Sequence, residues 1–352
     1  MNKLVRIPST TFMGFTLKIK IFVAIIFVLI LFNILYNSFG VRMNSRDVQR
    51  ISKELKKESF GVVKFQKIDI NNMALGNALS VYYFNIIIAT LNQDDFTANE
   101  SEKDLLKHLP KFISFDDLRF YYNELIANNI NIDVFTELYN TDNGNTTTGI
   151  NWWESTEKTK ETINFIMKPL INRIFDKALI ASNVKKTVSM PVIHFRCADT
   201  PFSKHSAYHL QKYYYFKDAL AMINTKTNKT YNSVILLSCS SHNSDENNKK
   251  TCGSYTDYLK QYIESINYKV DVNCSDEIED FATIFYAPGV ISTSSSFSFM
   301  SGFFGNGIFI GINQDEENHC MNCNDWLYKG YNLSHSFVSD YNNVDDVRKL
   351  LL

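Results

Sequence analysis

The stretch Pro191-Val192-Ile193-His194-Phe195-Arg196-Cys197-Ala198-Asp199 is a short apolar run that stops at a cluster of His, Arg and Asp, with Pro201 just beyond. A continuous apolar run cut off by polar residues and a proline reads as a buried strand delivering those polar groups to its C-terminal end. In open parallel α/β sheets, ligands bind at that end. A guanidinium carries a fixed fork of donors that matches phosphate oxygens and stays protonated, so Arg196 is a candidate anion clamp. A charge-assisted contact of this kind contributes about 1.5–3 kcal/mol. A structural ion-pair network among His194, Arg196 and Asp199 is the alternative.

Downstream, strand and helix patterns alternate. The aromatic-rich segment Tyr208 to Met222 predicts a helix, and Ser233 to Ser238 predicts a central parallel strand. Tyr255, Tyr258, Leu259, Tyr262 and Ile263 fall on one helical face. Tyr268–Val272, Gly289–Ser292 and Ile308–Ile312 predict strands, and helices are expected at Ile278–Phe285 and Phe297–Phe304. This alternation predicts a doubly wound parallel sheet. Between strand and helix, Ser292 to Ser298 gathers six hydroxyls in seven residues, where backbone N–H groups and hydroxyls suit a phosphate.

Upstream, Gly61–Phe65 is a candidate strand and Asn71–Asn77 a candidate turn before a helix carrying Leu79, Tyr82, Tyr83, Ile86 and Ile87. The segment from Gln93 to Lys160 is polar, with a helix expected over Asp116–Asn128 and a loop over Thr141–Gly149. Trp152-Trp153-Glu154 offers stacking rings beside a carboxylate, either an acceptor-sugar platform or ordinary core. Glu161–Asn183 predicts a long helix kinked at Pro169.

The 352 residues carry 36 Lys+Arg against 37 Asp+Glu, which gives no electrostatic case for nucleic acid. Residues 21–39 form an apolar segment of about 28 Å at a rise of 1.5 Å per residue, close to the thickness of a thin bilayer. Its length favours an uncleaved anchor over a signal peptide. Sequons at Asn99, Asn145, Asn228, Asn273 and Asn332, and all six cysteines, follow it. Cys320-x-x-Cys323 has no second pair at ligand spacing, so bridges are expected there rather than a metal. The expected organisation is a cytosolic tail (1–20), a transmembrane signal anchor (21–39), a stem (40–60), an N-terminal α/β domain (61–185), a nucleotide-sugar domain (186–312) and an extension (313–352), in a single-pass type II protein of the ER or Golgi membrane.

His194-x-Arg196-x-x-Asp199 resembles the His-x-Arg-Arg-x-Asp signature of the α1,2-, α1,6- and protein O-fucosyltransferase superfamily, with Cys197 in place of the second arginine. Leu75-Gly76-Asn77 is similar to that family's Gly-x-Gly-Asn-Gln element, flanked here by Ala74 and Ala78. Asp280 through Phe299 resembles its third region, an acidic helix residue followed by a strand and a Ser-Ser-Phe-Ser turn. The resemblance implies a GT-B fold, two Rossmann-like domains facing a cleft, with GDP-fucose as donor and no resident cofactor. Arg196 would hold the β-phosphate, Ser294, Ser295, Ser296 and Phe297 the phosphates, and Asp280 the base or ribose. Gly76 and Asn77 complete the donor site, Asp199 orients the arginine, and His194 is the candidate base. No Asp-x-Asp follows a strand in this region, so a metal-clamped diphosphate is not expected. The alternatives are a membrane-anchored carbohydrate-binding or scaffold protein that lost catalysis, and a transferase using another sugar nucleotide. The acceptor would be a glycan or glycoprotein.

Overall fold

Periodic apolar segments become helices and β-branched runs become strands in the computed structural model. It describes residues 74–98, 100–102, 104–130, 157–184, 186–197, 210–239, 245–293, 295–313, 333–334 and 337–338, all within the unit Gln66–Leu352. Helix α1 (Leu75–Asn92) comes first, then β1 (Phe96–Thr97), α2 (Asp104–Lys107), β2 (Phe112–Ile113), α3 (Phe115–Ala127) and α4 (Glu157–Ala181). Next come β3 (Val192–His194), β4 (Leu210–Gln211), α5 (Tyr213–Thr227), β5 (Ser233–Leu237), α6 (Glu246–Ser265), β6 (Lys269–Asn273), α7 (Glu277–Tyr286) and β7 (Gly289–Ser292). A short α8 (Ser296–Ser298) runs into a π-helical turn (Phe299–Phe303), followed by β8 (Ile308–Ile310), β9 (Ile312–Asn313), β10 (Leu333–Ser334) and β11 (Phe337–Val338).

The five main strands form one parallel sheet in the order β6-β5-β3-β7-β8. From β3 the chain winds outward through β5 to β6, returns over the sheet through α7, and winds the other way through β7 to β8. The reversal falls between β3 and β7, where Ile193 pairs with Ile291 and His194 with Ser292. Such a switch point leaves a crevice at the carboxyl ends of the strands.

Alternate strand residues face opposite layers. Ile193, Val234, Leu236, Ile291 and Ile310 share one buried cluster with α5 and α6, including Phe216, Leu220, Tyr255 and Leu259. On the other face Gly302 lies against Val290 and Phe309, and a Cβ there would come within 2.8 Å of the Phe309 ring. Phe175 of α4 meets Phe281 of α7, Tyr83 of α1 meets Phe304, and Phe299 meets Phe309, all edge to face. The Asn172 amide donates to the Phe304 carbonyl at 2.7 Å and Tyr286 donates to Asp176 at 2.8 Å, fixing α4 to this layer.

The helices follow the sequence patterns, with three differences. The segment expected as helix at Tyr208–Met222 holds the strand β4 at Leu210–Gln211, and its helix α5 starts only at Tyr213 and runs on to Thr227. Helix α1 begins at Leu75, so Gly76 and Asn77 lie in its first turn rather than in a preceding loop. The segment expected as ordinary helix at Phe297–Phe304 becomes a π-turn from Phe299. Over five residues the two periods cannot be separated by sequence, and here every residue of the turn is buried. Among the described residues of 74–185 the only strands are the antiparallel pair β1–β2, and the candidate strand Gly61–Phe65 lies outside the described residues. So do residues 1–73, including the expected anchor, and Trp152-Trp153-Glu154. Among the described residues no helix is long and apolar enough to cross a membrane. The described pieces of the C-terminal extension pair with the second half of the chain, β10 with β9 and β11 with β4.

Two disulfides staple the carboxyl edge of the sheet. Cys197 at the end of β3 is bonded to Cys252 of α6, and Cys239 after β5 to Cys274 after β6. The Cys320 and Cys323 pair lies outside the described residues. The first bridge closes a sequence separation of 55 residues, for which loop entropy gives about 4 kcal/mol. Replacing both Cys197 and Cys252 by serine should therefore lower unfolding stability by roughly that amount, read as the urea midpoint in non-reducing buffer.

Candidate functional site

The carboxyl ends of β3 and β7 are joined by one threonine. Thr293 donates its backbone N–H to the His194 carbonyl at 3.3 Å and its hydroxyl to the same oxygen at 3.1 Å. The Thr293 Oγ1 in turn accepts the Arg196 backbone N–H at 2.8 Å. On the other side of β3, Phe195 N–H continues the ladder to the Leu237 carbonyl at 2.9 Å. The backbone that carries Arg196 is thereby held from both neighbouring strands. Thr293 was not singled out in the sequence, although the hydroxyl-rich run around it was the available signal.

His194 lies on the α7 face with its ring 5.7 Å from that of Phe297, which in turn meets Phe281 edge to face at 5.7 Å. It is 9% exposed, and among the described residues its Nδ1 has no hydrogen-bond partner. Burial, reinforced by the nearby positive Arg196, lowers its pKa to about 3. The imidazole is therefore neutral at working pH. A base this weak is poorly matched to proton abstraction near neutrality, whereas a neutral ring remains able to make a directed hydrogen bond.

The Gly76–Asn77 element, more than 200 residues away in sequence, reaches the serine turn. Ser296 donates its hydroxyl to Asn77 Oδ1 at 2.7 Å. A Cβ on Gly76 would lie 2.4 Å from the Phe297 backbone nitrogen and 2.7 Å from its Cα, so only glycine permits this approach. The Leu75 N–H, at the start of α1, points to Glu277 Oε1 at 3.3 Å. A carboxylate of the protein thus sits at the positive end of α1, the end that carries Gly76 and Asn77. Nothing in the sequence around Glu277 signalled that role.

The hydroxyl run divides by direction. Ser292 and Ser298 share a buried hydrogen bond at 2.6 Å, and Thr293 is used by the strand ends, so these three hydroxyls build the turn. Ser295 is buried at the start of α8, while Ser296 and Phe297 are half-buried beside Asn77. Ser294 and Asp199 lie outside the described residues.

Two further positions are placed away from free solvent. Asp280 is buried and accepts the Ser275 N–H on Oδ1 at 3.0 Å, with its Oδ2 3.3 Å from Cys239 Sγ. The sulfurs of Cys239 and Cys274 and the Asp280 carboxylate lie within 4.8 Å of one another, a set that would suit a metal only with the disulfide reduced. Cys197, where the resemblance has an arginine, is buried in the α5–α6 cluster by its bond to Cys252, so its side chain is committed to the opposite layer.

Thus His194, Arg196, Asn77, Gly76, Ser296 and Phe297 converge on the switch point, with Asp280 behind the β6–α7 corner. Comparison with known proteins finds no matching family model, no similar curated protein and no similar solved structure.

Two outcomes test this geometry. Gly76→Ala should destabilise by about 1–3 kcal/mol through overpacking, despite the roughly 1 kcal/mol that alanine offers a helix; denaturant unfolding measures it. Because the folded-state pKa of His194 is depressed, its unfolded form binds the proton first, and stability falls as pH drops below about 6.5 toward 3. Below pH 6.5, His194→Gln should remove about 1.4 kcal/mol per pH unit of this acid sensitivity, read from urea unfolding at stepped pH.

Proposed function

We propose that this chain is a metal-independent, inverting glycosyltransferase of the GT-B kind, moving fucose from GDP-fucose to a glycan or glycoprotein. Its catalytic domain would face the lumen of the ER or Golgi behind one N-terminal membrane helix. The observation carrying this reading is convergence: three elements in family order come together at one switch point. The Arg196 backbone bonds to Thr293 across 97 residues, and Ser296 bonds to Asn77 across 219.

In this reading the donor diphosphate lies over the carboxyl ends of β3 and β7. Cleavage of the bond between sugar and diphosphate builds negative charge on the β-phosphate, and Arg196 stabilises that charge on a backbone that needs no rearrangement. The hydroxyl of Ser296 and the Asn77 amide, already paired, offer further contacts to phosphate or ribose. The acceptor hydroxyl attacks from the face opposite the leaving group, which inverts the anomeric centre. Neutral His194 serves as a hydrogen-bonding partner to donor or acceptor, and an oxocarbenium-like transition state lessens the need for a strong base. Asp280 supports the site from behind through the β6–α7 corner. The lumenal placement draws support from the two disulfides, which persist in oxidising compartments.

A second reading is favoured by specific observations. Cys197 holds a disulfide where the resemblance has a second cation, and Glu277 occupies the start of α1. A carbohydrate-binding or scaffold protein that kept the fold without turnover would tolerate both. Donor recognition separates the two readings. A ligand at 100 times its dissociation constant stabilises the folded state by about 2.7 kcal/mol, a shift of a few degrees for a chain of this size. GDP without metal should raise the melting temperature of the purified protein, UDP, CMP and ADP should not, and Arg196→Ala should abolish the shift. No shift with any nucleotide in folded protein moves the assignment to the binding protein; a shift with another nucleotide changes the donor.

A further inference from the structure

Two sequons fall wholly within the described residues, and the fold treats them in opposite ways. Asn228-Lys229-Thr230 follows α5, and all three residues are exposed. Asn228 is the helix C-cap in the left-handed region, φ 52° and ψ 40°, and its backbone N–H closes the last turn on Asn224 and Thr225. No hydrogen bond to its carboxamide is found among the described residues. A C-cap accounts for an asparagine here, but not for the exposed threonine two residues on. Because β5 starts at Ser233, Asn228 lies at the amino edge of the sheet, opposite the edge that carries Arg196 and Thr293.

Asn273-Cys274-Ser275 is held closed. Asn273 ends β6 in register with Leu237, and its carbonyl accepts the Ser238 N–H at 3.2 Å. Its Oδ1 accepts the Ser275 hydroxyl at 3.4 Å, and the residue lines a cavity of about 270 Å³ with Lys186, Ile235 and Thr283. Cys274, the middle residue of the sequon, is bonded to Cys239 on the neighbouring strand end.

We propose that Asn228 carries an N-linked glycan and that Asn273 stays bare because the Cys239–Cys274 disulfide shuts its sequon. The inference rests on the lumenal placement proposed above. In the reaction, the Asn228 amide nitrogen attacks the anomeric carbon of a lipid-diphosphate-linked oligosaccharide. The nitrogen–carbon bond forms, the carbon–oxygen bond to the diphosphate breaks, the lipid diphosphate leaves with the electron pair, and the amide gives up one proton. An exposed carboxamide at a helix C-cap, with no disulfide in its sequon, can enter such an enzyme. A strand-end asparagine cross-linked at the next residue cannot.

The test is translation of the full chain into microsomes, with an Asn-x-Thr tag added after Leu352 as a control, read by gel mobility before and after amidase deglycosylation. Asn228→Gln should run one glycan step faster than wild type, and Asn273→Gln should co-migrate with it. Cys239→Ser should gain one step, lost again when Asn273→Gln is added. Deglycosylation of the wild type in ¹⁸O-water should place ¹⁸O-labelled aspartate at 228 and not at 273, a readout independent of how the variants fold. An unlabelled Asn228 in a chain whose tag is modified overturns the Asn228 assignment alone. Label at 273, or Cys239→Ser without the extra step, overturns the role given to the disulfide. An unmodified tag overturns the lumenal placement, and this inference with it.

Discussion

The seam between β3 and β7 is the constraint on which the rest of this structure depends. Parallel strands pair through evenly spaced hydrogen bonds, and at their carboxyl ends the ladder must either stop or be continued by side chains. Here Thr293 continues it, giving two protons to the His194 carbonyl and taking one from the Arg196 backbone. β3 and β7 lead to helices on opposite faces, the arrangement that places a binding crevice beyond the strand ends in open parallel sheets, and Thr293 bonds the backbone that would floor it. A cation carried on that floor is preorganised, and preorganisation is what makes a charge effective when negative charge develops nearby.

Electrostatics around the seam follows from what is buried. His194, packed against Phe297 and close to Arg196, is neutral, so the local positive charge belongs to the arginine. Glu277 meets the start of α1, where the helix dipole is positive, and ties α7 to α1. Gly76 lets the same helix approach the Phe297 backbone closely enough for Ser296 to reach Asn77. The site is thus walled on one side by a helix from the first third of the chain. The disulfides reinforce the other side, joining the ends of β5 and β6 and tying the end of β3 to α6.

By itself the sequence determined the order of strands and helices, because each βαβ unit buries its own apolar face and writes that burial locally with period 2 or 3.6. The strand at Val192–His194, the amphipathic α6 and the run at Gly289–Ser292 were legible for that reason, as was Arg196 at a strand end. Tertiary structure alone decided which strand lies beside which, and so that β3 and β7 flank the crevice. It also decided which hydroxyls of Ser292–Ser298 face inward, since a run of similar residues has no internal signal of direction. The contact of Gly76 with Phe297, the carboxylate of Glu277 at α1 and the pairing of Cys197 with Cys252 join residues 55 to 221 positions apart. Contacts of that range are fixed by the packing of whole layers, and no local period records them.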